Sequence, residues 1–163
     1  MAKSIGVSNF NSEQINLLIK NSNTVPATNQ VESHPFLSQE LLLKFCREKG
    51  IVLTAYSPLA RTGTAEEKVS QSPLDIPLVK ELAQKYGKTP AQICIKWQTQ
   101  RGVVVIPKSS TKERVISNID VFDFDLTNEE MAKMAGLNQN IRNNHWSQFG
   151  INKHKDWPFA IPY

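Results

Sequence analysis

The sequence predicts an α/β fold in which parallel strands alternate with helices, and three observations support this. Short apolar segments and longer helical patterns alternate four times along the chain. The segment IVLTAY at 51–56 is almost continuously apolar, as is typical of a strand covered on both faces of a parallel sheet. Gly and Pro residues stand at the element boundaries. Four βα units imply right-handed crossovers, in either an open doubly wound sheet or part of a (β/α)8 barrel.

The first two βα units occupy residues 4 to 50. A short strand at Ser4–Val7 precedes a helix with Ser12 as its predicted N-cap and with apolar residues at helical spacing, namely Ile15, Leu18 and Ile19. A second strand at 27–32 is closed by His34 and Pro35. The helix that follows begins near Ser38 and ends at Gly50, with an apolar face that includes Leu41, Leu42 and Phe45.

The third unit contains the longest loop of the chain. After the strand at 51–56, residues 60–77 are polar and rich in turn formers, and loops of this length in compact domains are commonly functional. Two helices follow, at 78–86 and 90–100, the second capped by Thr89 with Pro90 at its first position.

The fourth unit begins with the strand VVVI at 103–106 and continues into a helix that starts near Thr111. Another helix follows Leu126, where Thr127 and Glu130 have the spacing of a capping box. Residues 140–163 have no periodicity, so we expect an irregular C-terminal tail that packs over a single domain spanning 1–163.

Composition excludes several classes of protein. The net charge is +4, but 19 basic residues are scattered among 15 acidic ones without a basic block, so nucleic acid is not an expected partner. The sequence contains no run of eighteen apolar residues, so it predicts no membrane span. The beginning MAKSIGVSNF does not resemble a signal peptide. We therefore expect a cytoplasmic location. Cys46 and Cys94 lack metal-ligand spacing, which predicts buried free thiols.

Polar residues gather where the predicted strands end, which is where α/β folds place their ligands. Each has a purely structural interpretation, as a strand terminator, a packed side chain or a solvated turn. Together they offer amides for a carboxamide, an aromatic face for a flat ring, and a lysine with hydroxyls at a helix start for a phosphate. No GxGxxG follows a strand, which counts against a Rossmann domain. The residues are Ser8, Asn9, Asn29, Gln30, Glu32, Tyr56, Ser57, Lys108, Ser109 and Ser110.

These strand ends lie in segments that resemble the aldo-keto reductase family in order and spacing. The segments are IGVSNF, NQVESHP, KGIVLTAYSPL, VVVIPKSSTKERVISN and VFDFDL, and the resemblance runs from about residue 3 into the tail. It implies the second half of a (β/α)8 TIM barrel, with four parallel βα units, a C-terminal helix and a tail. It also implies an NADPH-dependent oxidoreductase that reduces carbonyl compounds such as aldehydes.

The resemblance also implies a role for each cofactor-binding residue. Ser8, Asn9 and Gln30 would contact the nicotinamide carboxamide, and Tyr56 would stack on the nicotinamide ring. Ser57 and Leu59 would line the pyrophosphate beneath loop 60–77, which would act as a clamp. The adenosine end would be held by Lys108, Ser109 and Arg114 at the 2′-phosphate of NADPH or NADP, and by Asn118 at the adenine.

The family's chemistry requires residues that cannot be mapped onto this sequence. Family members donate a proton from a tyrosine that is supported by lysine, aspartate and histidine, all of which lie in the first half of the barrel. Tyr56 does not replace the donor, because a stacked ring presents its face rather than its hydroxyl to the reacting centre. We therefore assign no catalytic residue and no metal site, and we expect the isolated chain to be inactive unless the other half is supplied.

Two alternatives to an NADPH-binding reductase half remain. Half a barrel leaves its first and last strands as open edges, which favours a non-catalytic protein that self-associates or binds a partner chain. The other alternative is a truncated gene product or an alternative start.

Overall fold

Four parallel strands form one sheet in the computed structural model, which describes residues 2–60, 72–144 and 149–161. The strands are β1 (Val7–Ser8), β2 (Thr28–Glu32), β3 (Val52–Tyr56) and β4 (Val104–Val105), and they lie side by side in chain order. Ser8 pairs with Gln30, Gln30 with Thr54, and Thr54 with Val104, so these residues share one level and one face. The predicted α/β fold with parallel strands is confirmed, although the first and last strands are shorter than the sequence indicated.

Helices connect the strands and continue beyond the last one. They are α1 (Ser12–Asn21), α2 (Glu40–Glu48), α3 (Pro77–Tyr86), α4 (Pro90–Gln100), α5 (Lys112–Ile119) and α6 (Asn128–Ala135). Short 3-10 turns occupy Pro73–Asp75 and Ile151–Lys153. Of the predicted loop 60–77, residues 61–71 lie outside the described part of the chain, as do residues 145–148 of the tail.

Helix caps explain where several of these helices begin. The predicted caps Thr89 and Thr127 both form capping boxes, with Gln92 and Glu130 respectively. The predicted cap Ser12 is wrong, because Asn11 caps α1 by accepting from the backbone N–H of Gln14. Asparagine is at least as good an N-cap as serine, so Asn11, which comes before Ser12 in the chain, takes the N-cap position.

The main core lies between one face of the sheet and helices α1 and α2. Leu53 and Ala55 of β3 pack there against Ile15 of α1, with Val31, Leu42, Leu43, Cys46, Ile51 and Val103 completing the cluster. The predicted face of α2 is partly wrong, because Leu41 is 56% exposed whereas Leu43 is buried. Three consecutive leucines leave the phase of a helix ambiguous, and the burial of Cys46 decides it.

A second core joins α3, α4 and α6. Trp97 and Cys94 are fully buried there beside Val79, Leu82, Ala83, Ile93, Leu126 and Met134. Cys46 and Cys94 are both buried and free, as predicted. Burial raises the pKa of the Cys94 thiol to about 12, so the thiol is neutral and unreactive at neutral pH.

The opposite face of the sheet is open. Along β3, Val52 is 47% exposed, and Thr54 and Tyr56 are only half-buried. The prediction that this strand is covered on both faces is therefore wrong for most of its length, because no described helix packs over that side. Residues 142–144 contact that side at its carboxyl end, at Glu32 and Tyr56. We call the side of the sheet that carries Gln30, Thr54, Tyr56 and Val104 the open face.

Within residues 2–60, 72–144 and 149–161, no helix combines the length and the apolar character needed to cross a membrane. The same residues contain no group of three or more His, Cys, Asp or Glu side chains arranged to hold a metal ion.

Candidate functional site

The carboxyl ends of β1, β2 and β3 bring four predicted site residues together. The Ser8 hydroxyl donates to the Gln30 carbonyl at 2.9 Å, and the backbone N–H of Asn9 donates to the same carbonyl at 2.9 Å. The Tyr56 hydroxyl donates to the Asn9 Oδ1 at 3.1 Å. Direct hydrogen bonds therefore link Ser8, Asn9, Gln30 and Tyr56 into one polar cluster at a single sheet edge.

The backbone at this edge adopts a conformation that non-glycine residues seldom use. Asn9 follows β1 with a φ of 57°, and Ser57 follows β3 with a φ of 48°. Such left-handed residues are uncommon outside glycine and cluster at functional sites, where the surrounding structure holds them in place. Asn9 and Ser57 follow two parallel strands, and the backbone turns sharply at each of them. Polar side chains therefore face the end of the sheet.

Tyr56 carries a neutral hydroxyl under all ordinary conditions. Burial and the negative charge of Glu32 raise the pKa of Tyr56 to about 12, while Arg142 and Asn9 oppose the rise. The hydroxyl is already used in bonding Asn9, which leaves the ring as the part of the side chain available to a ligand. A flat aromatic surface beside amide groups suits a planar, neutral ligand group.

A second group of predicted site residues lies at the end of β4 and on α5. Lys108 and Arg114 are exposed, and neither takes part in an ion pair among the described residues. The Ser109 hydroxyl accepts from the backbone N–H of Thr111 at 3.1 Å, which shapes the turn into α5. Two cations beside the N-terminus of a helix make this turn attractive to an anion.

The remaining predicted residues lie around these two groups. Leu59 is half-buried and packs against the second core, and the Ser57 carbonyl accepts from the backbone N–H of Ala60 at 2.9 Å. Asn118 lines a cleft of about 280 Å³ between α4 and α5. Within the described residues no hydrogen bond joins the β1–β3 group to the β4–α5 group, so the structure forms two polar regions along one edge.

Sequence reasoning noted Glu32 at a strand end but missed what surrounds it. Its carboxylate is fully buried, with Oε1 3.0 Å from the Nε2 of His34. The same carboxylate accepts the backbone N–H of Asn143 at 2.7 Å and that of Asn144 at 2.9 Å. Burial opposes ionisation, but these hydrogen bonds outweigh it and lower the pKa of Glu32.

Arg142 is the other residue that the sequence did not reveal. Burial lowers the pKa of its guanidinium, which interacts electrostatically with Glu32 and with Tyr56. Residue 142 belongs to an aperiodic tail, where no spacing pattern predicts a contact with a strand more than 80 positions earlier. The one available signal was Glu32 itself, because a carboxylate in a buried strand needs donors from elsewhere.

Comparisons with known proteins identify relatives of the whole chain. The model of the aldo/keto reductase family matches residues 1–139. Mouse estradiol 17 beta-dehydrogenase 5 is 48% identical over 170 residues, which covers 100% of this chain and 51% of that protein. Chicken aldo-keto reductase family 1 member A1 is 47% identical over 147 residues, covering 87% of this chain and 44% of that protein.

The fold has a close counterpart among solved structures. A crystal structure of a Bombyx mori aldo-keto reductase in complex with NADP superposes with a TM-score of 0.86 at 40% identity, covering 96% of this chain and 51% of that one. The chain thus spans about half the length of the relatives it matches. The family model, the sequence identity and the shared parallel sheet together show that this chain belongs to the aldo/keto reductase family.

Proposed function

We propose that this chain is the NADPH-binding second half of a (β/α)8 barrel reductase, folded as one domain with the clamp-like loop 60–77 and the tail 140–163. The nicotinamide would lie on the Tyr56 ring with its carboxamide at Ser8, Asn9 and Gln30. The relative from Bombyx mori was solved with NADP, which supports the choice of cofactor. A carbonyl compound would be the substrate of the completed barrel.

One observation carries the proposal. The hydrogen-bonded cluster of Ser8, Asn9, Gln30 and Tyr56 combines amide groups with an aromatic face at the carboxyl edge of a parallel sheet. A nicotinamide needs both, since its carboxamide requires donors and acceptors and its ring requires a flat apolar surface. Lys108 and Arg114, which form no ion pair with another described residue, lie on the same edge and suit the phosphates of the same molecule.

The adenosine end provides the test, because NADPH and NADH differ there by one phosphate. Lys108→Ala should weaken binding of NADPH by about tenfold, the loss of one charge-assisted phosphate contact, and should change NADH binding far less. Binding is measured by nucleotide fluorescence titration of the purified chain, and NADPH oxidation with an aldehyde is followed in parallel. We expect binding without turnover, because the family's proton donor would lie in the other half.

Lys133→Ala is the matched control, since Lys133 is also an exposed lysine but lies on α6. It should leave both affinities unchanged. Equal losses for NADPH and NADH in Lys108→Ala would refute the 2′-phosphate role. Aldehyde reduction by the chain alone, retained in Tyr56→Phe, would refute the proposed dependence on a second half.

A second candidate function is association through the exposed edge of the sheet, and a specific surface favours it. Three apolar side chains on and just after α5 are 53–75% exposed and line the 280 Å³ cleft beside β4; they are Val115, Ile119 and Phe122. We call this set the β4–α5 surface. A contiguous apolar surface of this kind marks an interaction site, and a second copy of the chain is one occupant. A strictly monomeric mass at micromolar concentration would contradict it.

A further inference from the structure

The C-terminal region contacts the end of the sheet at two separate places. We define the strap as the described residues 141–144 and 149–161. Its first contact is at β2, where the backbone N–H groups of Asn143 and Asn144 donate to the Glu32 carboxylate at 2.7 and 2.9 Å. The partner carboxylate is fully buried, so both bonds are shielded from water.

The second contact is at the start of α1. The Asn11 side chain donates to the Pro158 carbonyl at 3.0 Å, and the Gln14 side chain donates to the Asp156 carbonyl at 2.9 Å. Arg142 connects the two places, because its guanidinium stacks 3.7 Å from the ring centroid of Phe159. The two described parts of the strap therefore hold each other as well as the sheet.

The Glu32 contact places a charged residue of the strap directly beside Tyr56. Arg142 precedes Asn143 in the chain, and its guanidinium is close enough to Tyr56 to interact with it electrostatically. The Tyr56 hydroxyl also donates to Asn9. Tyr56 is therefore contacted from two sides, by β1 through the hydrogen bond to Asn9 and by the strap through the charge of Arg142.

The chemistry at Glu32 requires a carboxylate. His34 and two backbone N–H groups converge on its two oxygens, and an ionised carboxylate is the side chain that accepts at both oxygens without presenting a donor. A glutamine would have the same shape, but its NH₂ group would replace one of the two oxygens. The NH₂ group would then face either His34 and the Asn143 N–H, or the Asn144 N–H. A buried N–H without an acceptor is costly, so the strap should detach.

We propose that Glu32 is a positioning residue that anchors the strap and, through Arg142, orients the Tyr56 ring for the nicotinamide. This deepens the proposed function and rests on it, because Tyr56 is assigned to the nicotinamide there. Glu32 touches neither the cofactor nor the substrate in this assignment. Its effect is confined to the nicotinamide end of the site, since Lys108 and Arg114 hold the other end without the strap.

Glu32→Gln tests the proposal in the full chain, with Glu129→Gln as the control because Glu129 is a carboxylate exposed on α6. Hydrogen exchange of the Asn143 and Asn144 amides should accelerate at least about tenfold, as expected when a buried hydrogen bond is lost. NADPH affinity should fall about fivefold, the value of an aromatic stacking contact. Affinity for adenosine 2′,5′-bisphosphate, which lacks the nicotinamide, should not change.

Arg142→Met separates positioning from stability, because it keeps a long side chain and leaves Glu32 in place. It should reproduce the selective loss of NADPH affinity while the Asn143 and Asn144 amides stay protected from exchange. If Glu32→Gln does not fold, Arg142→Met alone tests the positioning role. Unchanged exchange in Glu32→Gln would overturn the anchor. The positioning role would be overturned if the Asn143 and Asn144 amides exchanged faster while NADPH affinity stayed unchanged. It would also be overturned if affinity fell equally for NADPH and adenosine 2′,5′-bisphosphate. Failure of the wild-type chain to bind either ligand would instead overturn the proposed function.

Discussion

Gly6 shows how tightly single residues fix the spacing of β1 and β2. A Cβ atom at this position would lie 2.6 Å from the Cγ2 of Thr28 and 3.1 Å from its carbonyl oxygen. The Thr28 hydroxyl cannot turn away freely, because it bonds the Val52 carbonyl at 2.8 Å and the Thr54 hydroxyl at 2.9 Å. Gly6 is therefore required by close approach and not by its backbone angles.

Gly6→Ala should destabilise the chain by roughly 1–3 kcal/mol, the usual cost of overpacking, as measured by urea unfolding. Thr28→Ser removes the clashing methyl group and keeps the hydroxyl, so adding it to Gly6→Ala should recover part of the loss. The recovery is partial because the carbonyl oxygen stays in place. Strict additivity of the two substitutions would show that the methyl group is not the obstacle.

Among the elements, the helix caps differ in how they should respond to acid. The capping boxes of α1 and α4 use the neutral side chains of Gln14 and Gln92, whereas that of α6 uses Glu130. Burial opposes ionisation of Glu130, but hydrogen bonds from Lys85, Tyr86 and Thr127 outweigh it and lower the pKa to about 2. The cap of α6 is thus the one of these three that titrates.

The sign of the pH effect follows from that lowered pKa. A carboxyl group whose pKa is lower in the folded state adds stability above its unfolded value of about 4.3, and this is lost as the pH falls toward 2. Glu130→Gln should therefore destabilise the chain at pH 7 by about 1–3 kcal/mol and by roughly half as much near pH 3. Urea unfolding at several pH values gives the comparison.

Thr89→Ala is the matched control on α4. It removes a cap that involves only neutral groups and should cost about 1 kcal/mol at either pH. If Glu130→Gln showed the same pH-independent loss, the ionised carboxylate would not be the source of the stability.

Sequence reasoning was most successful where local chemistry sets the structure. Thr89 with Pro90 and Thr127 with Glu130 were predicted because caps depend on neighbouring residues only. Strand ends were predicted to within three residues, and those at Glu32 and Tyr56 without error. The errors arise because pairing with a neighbouring strand decides where a strand begins and ends. The contacts of Glu32 with Asn143 and Asn144 could not be predicted, because they join a strand to an aperiodic segment 111 and 112 positions away.

At the scale of the whole molecule, helix α5 is unusual because it has no buried residue. Val115 and Ile119 of this helix instead belong to the β4–α5 surface, where Ile119 and Phe122 are 72% and 75% exposed. At the other end of the sheet Ile5 is 52% exposed beside β1. Exposed apolar side chains therefore lie near both outer strands of the sheet.

Ile119→Lys combined with Phe122→Lys should reduce self-association of the chain, measured as the weight-average mass by sedimentation at micromolar concentration. Ile119 ends α5, where a cation is favoured by the helix dipole, so the fold should tolerate the change. Leu17→Lys is the control, because Leu17 is 63% exposed on α1 away from this surface. An equal loss of association in the control would assign the effect to net charge alone.

The strap has a consequence for the order in which the chain folds. Each strand pairs with a neighbour about two dozen to fifty positions away, whereas the Asn11 side chain meets Pro158 across 147 positions. Closing so long a loop is entropically expensive, and a ribosome releases these last residues only after the four strands have emerged. The sheet should therefore assemble first, with Glu32 hydrated and accessible, and the strap should dock as a late and separate step.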